Sequence, residues 1–387
     1  MKRQKIPVLY RREFFYIITS MITKEKKQNR LCPLRLVVLL LSLLWTGIYF
    51  LTRENQAWMN RLCDALVRPW HRFAGRVCDV FPFSVAEVLV LLGVAALVCF
   101  LVQLVLHFVK RPGDWWGLYR WALTLGSLLA ALFALFCLWW GVYYYADSFQ
   151  EQSGIHARGV STEELEKVTA YFVDVVNGTA PLVVRDETGL YAQPESVLFD
   201  KSACLYTNVV EKFPCLAGPN LHAKPIMFSI ILSYVDCTGV FCPFTAEANL
   251  NVHSSHSQLP ATIAHELAHQ RGVAAEDEAN FVAVLSSMES GDVDYMYSAA
   301  LMAYIYLGNA LHKTDYDAWC AQYERICPEA RLDLNAHNAY WEQFDTPVQE
   351  ASNRIYEAFL ETYGDDRGMQ SYGACVDLLV AYYIDKV

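Results

Sequence analysis

Three long apolar runs in the first part of this 387-residue chain limit what it can fold into. They cover residues 36–52, 88–109 and 121–145, and aspartate, glutamate, lysine and arginine are absent from them. A helix needs about 20 apolar residues to cross the hydrocarbon core of a bilayer. The sequence therefore predicts three transmembrane helices. The aromatic end of the third run, Trp139–Tyr145, is typical of a belt at the membrane interface.

Basic residues beside these runs predict how the chain is oriented. A basic leader precedes the first run, and the loop between the second and third runs contains Lys110, Arg111 and Arg120. Cytoplasmic loops are enriched in such residues, so the N-terminus is expected inside and the residues beyond Asp147 outside the cytoplasmic membrane. The expected organisation is a cytoplasmic leader (1–35), a membrane region (36–147), a linker (148–160) and an extracytoplasmic domain (161–387).

The loop between the first and second runs does not follow this rule. It should lie outside, yet it contains five arginines: Arg53, Arg61, Arg68, Arg72 and Arg76. Apolar residues are interspersed with them: Trp58, Leu62, Leu66, Val67, Trp70, Phe73 and Val77. This mixture predicts an amphipathic helix that lies on the membrane surface.

The sequence His265-Glu266-Leu267-Ala268-His269 is an HExxH motif. Positions i and i+4 of a helix share one face, so both histidines can direct a ring nitrogen at one metal ion. Glu266 lies next to the first of them and could accept a proton from a water molecule on that metal. The pattern predicts a Zn²⁺ site with Glu266 as the catalytic base.

The flanks of the motif favour an active-site helix. Pro260 suits a first helical turn, and Gly272 suits a left-handed turn that ends a helix. Such a turn would allow the chain to return a carboxylate to the metal, with Glu276 and Glu278 as candidates.

Glu276 is favoured as the third ligand because of its place on the next helix. A helix that starts near Ala275 puts Glu276 and Asn280 on one face, whereas Glu278 points elsewhere. Asn280 would then orient a ligand histidine from behind. Glu278 remains the alternative third ligand.

This combination resembles the gluzincin class of metallopeptidases, which use HExxH and a downstream glutamate. The spacing of Glu276 and Asn280 is similar to the Glu-x-x-x-Asp element of that class, with Asn in place of Asp. Gly272 is instead similar to the glycine of the metzincin motif HExxHxxG. The resemblance implies a zincin-like domain that binds zinc and hydrolyses peptide bonds.

A longer set of segments resembles a bacterial membrane-protein family catalogued as domain of unknown function 3810. The segments are residues 239–249, 265–272, 276–281, 370–373 and 376–379. The resemblance covers the membrane region and nearly all of the remaining chain. It implies a membrane-anchored metallopeptidase and no particular substrate.

The remaining sequence predicts an α+β fold that is mostly α. A capping box at Ser161–Glu164 should start a helix that runs to about Val176. Strands are expected at Phe228–Tyr234 and Ala248–Val252. The second precedes the HExxH helix and could pair with an extended substrate, with Glu247, Asn249 and Asn251 as possible contacts or as ordinary strand-edge groups. Further helices are predicted at Ala299–His312, Val348–Tyr363 and Gly373–Tyr383.

Several other residues are weaker candidates. Three cysteine pairs could form disulfides in an oxidising exterior or remain free thiols: Cys204/Cys215, Cys237/Cys242 and Cys320/Cys327. Two histidines upstream of the motif, His253 and His256, could add ligands or simply be solvated. Three tyrosines could stabilise an oxyanion: Tyr295, Tyr297 and Tyr372.

The function that these features predict is zinc-dependent peptide hydrolysis at the outer face of the membrane. The expected partners are a peptide or protein substrate and the lipid bilayer. A formal charge of −10 argues against nucleic-acid binding. Two alternatives stay open: a non-catalytic zinc-binding membrane receptor or scaffold, and a zinc amidase that acts on cell-wall peptide. A transporter is disfavoured because the apolar runs carry almost no charge.

Overall fold

The computed structural model describes residues 31–362 and 372–387, so the predicted leader lies almost wholly outside the described residues. Two compact units are present. The first contains residues 31–52 and 91–138, and the second contains residues 53–90 and the described residues from 139 onward. Residues 53–90 were expected in the membrane region, but they belong to the second unit.

The described part of the chain is mostly helical with one small sheet. In chain order its α-helices are α1 (Pro33–Thr52), α2 (Gln56–Leu62), α3 (Arg68–Asp79), α4 (Val85–Lys110), α5 (Trp115–Trp139), α6 (Phe149–Ser153), α7 (Thr162–Thr179), α8 (Glu195–Ser202), α9 (Thr207–Lys212), α10 (Ser229–Ser233), α11 (Leu259–Gln270), α12 (Glu276–Ser290), α13 (Val293–Thr314), α14 (Tyr316–Arg325), α15 (Pro328–Trp341), α16 (Pro347–Thr362) and α17 (Tyr372–Tyr383). The strands are β1 (Lys224–Pro225), β2 (Gly239–Cys242) and β3 (Glu247–Leu250).

Helices α1, α4 and α5 are long and apolar enough to cross a membrane. In the first unit the Trp45 side chain of α1 donates its indole N–H to the Ala134 carbonyl of α5 at 3.0 Å. Phe100 of α4 meets Trp121 of α5 edge to face, with ring centroids 4.8 Å apart. Each of the three predicted runs therefore contains a long helix, and α5 contacts both of the others.

The third run ends earlier than predicted. Helix α5 stops at Trp139, and residues 141–145 form a 3-10 turn of the second unit. Val142 and Tyr143 are buried there. The prediction of an interfacial aromatic belt over Trp139–Tyr145 is wrong for these two residues, because their side chains pack inside a folded domain.

Residues 56–79 form an almost continuous helix, with a π-helical turn at Cys63–Val67 between α2 and α3. Leu62 and Val67 are buried in the second unit. Phe73 and Val77 remain 63% and 48% exposed. The predicted amphipathic helix is present, but one of its apolar faces belongs to the protein core.

The strand predicted at Phe228–Tyr234 is wrong, because this segment contains helix α10. Its two serines, Ser229 and Ser233, are four residues apart and both buried, whereas Ile231 is 60% exposed. Helical periodicity buries positions i and i+4 together. The Ser229 hydroxyl accepts a hydrogen bond from Val252 N–H and donates to the Ile226 carbonyl. Buried polar bonds thus override the strand propensity of the isoleucines.

The strand predicted at Ala248–Val252 is present as β3, in the middle of a sheet with order β1-β3-β2. It pairs parallel to β1 and antiparallel to β2. One edge of β3 is paired along its length with β2, the other is paired with β1 at Asn249 and Leu250, and all four residues are buried. The prediction that this strand pairs with a substrate is therefore wrong.

The polar residues of this region serve the fold. Glu247 accepts bonds from the Val85 and Ala86 N–H groups at the start of α4 and pairs with buried Lys224 at 2.8 Å. The Asn249 amide donates to the Val240 and Glu247 carbonyls, and the Asn251 amide donates to Ser233 and to the Cys237 carbonyl.

The core of the second unit surrounds helix α11. This helix packs against β2 and β3 on one side and against α12 and α13 on the other. Helix α7 packs along α13, and its predicted capping box is present, because Ser161 and Glu164 bond each other's backbone N–H groups. All twelve cysteines lie within the described residues and are free thiols, so the three possible disulfides are absent.

Candidate metal centre

Helix α11 holds the two motif histidines on one face. Pro260 lies in its first turn, as predicted, where the missing N–H costs no helical hydrogen bond. The His265 and His269 rings are nearly perpendicular, with centroids 4.6 Å apart. Their side chains are 13% and 6% exposed, respectively. The helix therefore presents two imidazoles to one small volume.

A glycine turn brings the next helix back to this volume. Gly272 has φ +90°, and its N–H donates to the His269 carbonyl at 2.9 Å. A Cβ at this position would also lie 2.6 Å from the Tyr143 ring. Helix α12 then starts at Glu276, with Ala275 as its N-cap. The predicted left-handed turn and helix start are both confirmed.

Three candidate ligand atoms converge at this point. Glu276 Oε2 lies 3.2 Å from His265 Nε2, and Glu276 Oε1 lies 3.6 Å from His269 Nε2. All three ligand atoms fit within 4.8 Å of one another. Ligands about 2.0–2.1 Å from a tetrahedral zinc ion are separated by about 3.3 Å. The donor types and their spacing fit a zinc ion.

A backbone carbonyl sets the orientation of His269. Its Nδ1–H donates to the Val273 carbonyl at 2.7 Å, which leaves Nε2 directed at Glu276. Burial lowers the pKa of His269, but the Glu276 carboxylate outweighs this effect and raises the pKa to about 9. The prediction that Asn280 orients a ligand histidine is wrong: Val273 holds His269, and His265 Nδ1 is buried without a hydrogen-bond partner in the described part of the chain. Asn280 is buried nearby on α12.

Glu278, the alternative third ligand, lies outside this cluster. Its carboxylate accepts the Phe149 N–H at 2.8 Å and the Gln150 side-chain amide at 3.0 Å. It therefore caps the start of α6, which is a structural role favoured by the positive end of a helix.

Glu266 is held against the sheet rather than among the ligands. It is 3% exposed, and Phe241 of β2 donates its backbone N–H to the carboxylate. A Cβ on Gly239 would lie 2.6 Å from Glu266 Oε1, so a larger residue at this position would require the Glu266 side chain to move. Burial is the largest cause of the raised pKa of Glu266. Such a carboxyl group can hold a proton more readily than an exposed one.

Two residues of the site were missed by the sequence reasoning. The Tyr356 hydroxyl of α16 donates a hydrogen bond to Glu276 Oε1. The Trp140 ring packs edge to face on His269, with centroids 5.6 Å apart. Neither residue has a fixed spacing from the motif, and Trp140 lay in a run interpreted as membrane-spanning.

The weaker candidates have other partners. The Tyr295 hydroxyl donates to the Leu198 carbonyl, and the Tyr297 hydroxyl donates to Asp333. His253 bonds Tyr340, and His256 lies 3.4 Å from Glu195. The side chain of Tyr372 is outside the described part of the structure. None of the four described residues belongs to the three-residue cluster.

A family model described as "Protein of unknown function (DUF3810)" matches residues 64–380, which include every residue of the candidate centre. No curated protein matches the chain, and no solved structure matches it.

Proposed function

The chain belongs to the family described as "Protein of unknown function (DUF3810)", and we propose that it is a membrane-anchored zinc metallopeptidase with a zincin-like catalytic domain. The observation that carries the proposal is the convergence of His265, His269 and Glu276 beside a second, buried carboxylate, Glu266, that is not part of the cluster. Two imidazoles and one carboxylate are a donor set of catalytic zinc sites.

The number of donors supports catalysis over a purely structural site. A structural zinc ion usually has four protein ligands, whereas a catalytic one keeps a position open. Among the described residues three donors come together, and Glu276 is 24% exposed, so the cluster is accessible from solvent. This observation argues against the alternative of a non-catalytic zinc-binding receptor.

In the proposed reaction the residues of the site have separate roles. When bound, zinc polarises a carbonyl oxygen and lowers the pKa of a coordinated water toward neutrality. Glu266 accepts the proton of the attacking water and passes it to the leaving amine. Its burial and raised pKa suit a group that must hold that proton for part of the reaction. Tyr356 fixes one oxygen of Glu276, and Val273 and Trp140 fix the ring of His269.

The location that fits this function is the outer face of the cytoplasmic membrane. Helices α1, α4 and α5 are long and apolar enough to form the anchor, and the lysines and arginines of the leader and of the loop between α4 and α5 favour an N-terminus inside. The substrate would then be a peptide or protein segment that reaches the membrane exterior.

Cleavage by the full chain tests the proposal. The protein is purified in lipid nanodiscs, loaded with one equivalent of Zn²⁺ and incubated with an unbiased peptide library that is read by mass spectrometry. Wild type and Glu278→Gln should cut, and Glu266→Gln should bind zinc and not cut. Cleavage of cell-wall peptides alone would favour the zinc amidase. Zinc binding without cleavage of either substrate by any variant would contradict the proposed activity.

A further inference from the structure

A second polar site lies beyond the C-terminal end of α11. Three arginines, Arg68, Arg72 and Arg271, line a small cavity together with His71, Tyr143 and Gln270. We call it the arginine cavity. Its remaining lining is residues 217–219, and no acidic side chain of the described chain contributes to its wall.

Arg271 provides the deepest charge of the arginine cavity. Its side chain is buried, with the guanidinium stacked on the Tyr206 ring at 3.9 Å from the centroid. One terminal nitrogen donates to the Leu267 carbonyl at 3.3 Å, but Nε–H is buried without a partner among the described residues. A buried guanidinium with an unused donor calls for an anion.

Arg68 and Arg72 bring two more charges to the same place. They are four residues apart on α3 and therefore share a face. Arg68 also bonds Asp64 at 2.7 Å, but that carboxylate is 67% exposed and its field is weakened by water. These two residues are among the five arginines that the positive-inside rule leaves unexplained.

The dimensions of the cavity indicate what part of an anion can enter. The enclosed space is about 20 Å³, which is room for one water-sized group. One oxygen could therefore reach Arg271, while the rest of the anion stays at the mouth beside exposed Arg72. A carboxylate is satisfied by one guanidinium fork, whereas several arginines around one group suit a phosphate.

A shallow, open apolar groove lies along α3 and shares one lining residue with the arginine cavity. Its volume is about 640 Å³, and Arg72 borders both spaces. The groove is otherwise lined by Pro69, Phe73, Arg76, Val77, Val80 and Phe81. Val80 is 79% exposed and Phe73 is 63% exposed. A charged cavity next to an apolar groove matches a molecule with a phosphate head and a hydrocarbon tail.

We propose that Arg68, Arg72 and Arg271 bind the phosphate group of a phospholipid whose head group has a net negative charge, with an acyl chain lying in the groove along α3. The site would hold the second unit to an individual lipid molecule, independently of the metal centre and of any peptidase activity. The match between a three-arginine cavity and an adjoining apolar surface is what favours a lipid over a free phosphate ester.

Binding of short-chain lipids to the detergent-solubilised full chain tests this inference. Native mass spectrometry or titration calorimetry would give dissociation constants for dioctanoyl phosphatidylglycerol, dioctanoyl phosphatidylcholine and inorganic phosphate. Phosphatidylglycerol should bind at least tenfold tighter than either of the others, because it combines a net anionic head with a tail.

Two variants on one helix face separate the cavity from the groove. Arg72→Gln should weaken phosphatidylglycerol binding about tenfold, whereas Arg76→Gln, which borders only the groove, should change it less than twofold. Arg68→Gln serves as a second cavity variant, so the test does not depend on the deeply buried Arg271. Equal losses in Arg72→Gln and Arg76→Gln, or no lipid binding and no phosphate binding, would overturn the site. Equal affinities for phosphate and the lipid would overturn the lipid assignment and support a free phosphate ester.

Discussion

The metal centre and the arginine cavity lie along the same helix but treat buried charge in opposite ways. The imidazoles of His265 and His269 face the carboxylate of Glu276. Burial tends to raise the pKa of Glu276, but the two histidines outweigh this effect and hold the pKa well below its usual range. At Arg271 the guanidinium has an aromatic ring and a carbonyl as neighbours. The first cluster contains its own counter-charge, and the second requires one from outside.

This contrast indicates which charges are part of the fold and which wait for a ligand. A buried ion with an unused hydrogen-bond donor, such as Arg271 Nε–H, is costly, which points to an external partner that would compensate for it. The metal centre has side chains of both signs facing one another. The arginine cavity is lined by positive charge alone among the described residues, and the anion that we propose for it would come from outside.

The largest expected effect is on catalysis by Glu266. In Glu266→Gln the turnover number should fall by about 10²–10⁴-fold, because the variant cannot accept the proton of the attacking water. The zinc content should stay at about one per chain, measured by elemental analysis alongside the peptide assay. Glu278→Gln, which alters a helix cap two residues beyond Glu276, is the matched control and should keep most of the activity.

The second-largest effect is expected on zinc affinity when Glu276, the counter-charge of the two histidines, is replaced. Glu276→Gln removes a ligand and leaves two imidazoles, so zinc affinity should fall by more than about 100-fold, which exceeds the usual cost of losing an outer partner. Competition with a chromogenic chelator would measure it. An unchanged zinc affinity would show that Glu276 is not a ligand. The contrast in counter-charge between the metal centre and the arginine cavity would then have no functional meaning.

A smaller effect should follow from closing the space beside Glu266. Gly239→Ala puts a methyl group 2.6 Å from Glu266 Oε1 and must displace that carboxylate. We expect activity to fall about tenfold to hundredfold, the order of loss produced by a misplaced catalytic group, with zinc still bound. Gly178→Ala, where nothing lies within 4 Å of the added carbon, should leave the activity unaltered. Equal activity in Gly239→Ala and Gly178→Ala would show that the position of the Glu266 carboxylate does not matter for catalysis.

Replacing Tyr356 should have an effect of about the same size, but on zinc affinity. Tyr356→Phe removes the hydrogen bond to Glu276 Oε1 and should weaken zinc binding about tenfold. The midpoint of thermal unfolding in zinc-free buffer should hardly change. A large fall in this midpoint with unchanged zinc affinity would assign Tyr356 to the packing of α16 instead.

The smallest effect is expected at the rim of the arginine cavity. In the absence of lipid and phosphate, Arg72→Gln should change stability by no more than about 0.5 kcal/mol, because its side chain is exposed. The rise in the unfolding midpoint on adding phosphatidylglycerol should be smaller than in wild type. A similar rise in both proteins would place the anion elsewhere.

The metal cluster could be predicted from sequence because its donors lie within twelve residues. A fixed i, i+4 spacing and one glycine turn determine where His265, His269 and Glu276 meet. The arginine cavity combines residues from α3, the turn at residues 141–145, the loop at residues 217–219 and the end of α11. Sequence periodicity within one segment cannot predict a site that is made of four segments far apart in the chain.

The remaining differences have similar causes. Composition located the three apolar helices, but it could not show that Tyr143 packs on Gly272 or that residues 53–90 join the second unit. A soluble fragment that begins after α5 would lack those residues and part of the core, so the full chain is the right material. The sequence predicts a strand where helix α10 lies, because strand propensities do not include the buried hydrogen bonds of Ser229.

Zinc K-edge X-ray absorption on the purified full chain tests the proposed metal centre most directly. We expect about four nitrogen or oxygen neighbours at about 2.0–2.1 Å, with outer-shell scattering from two imidazoles. In His269→Ala the imidazole signal should drop by half or the zinc should be lost. Absence of bound zinc in the wild type, or sulfur neighbours at about 2.3 Å, would contradict a centre built from His265, His269 and Glu276.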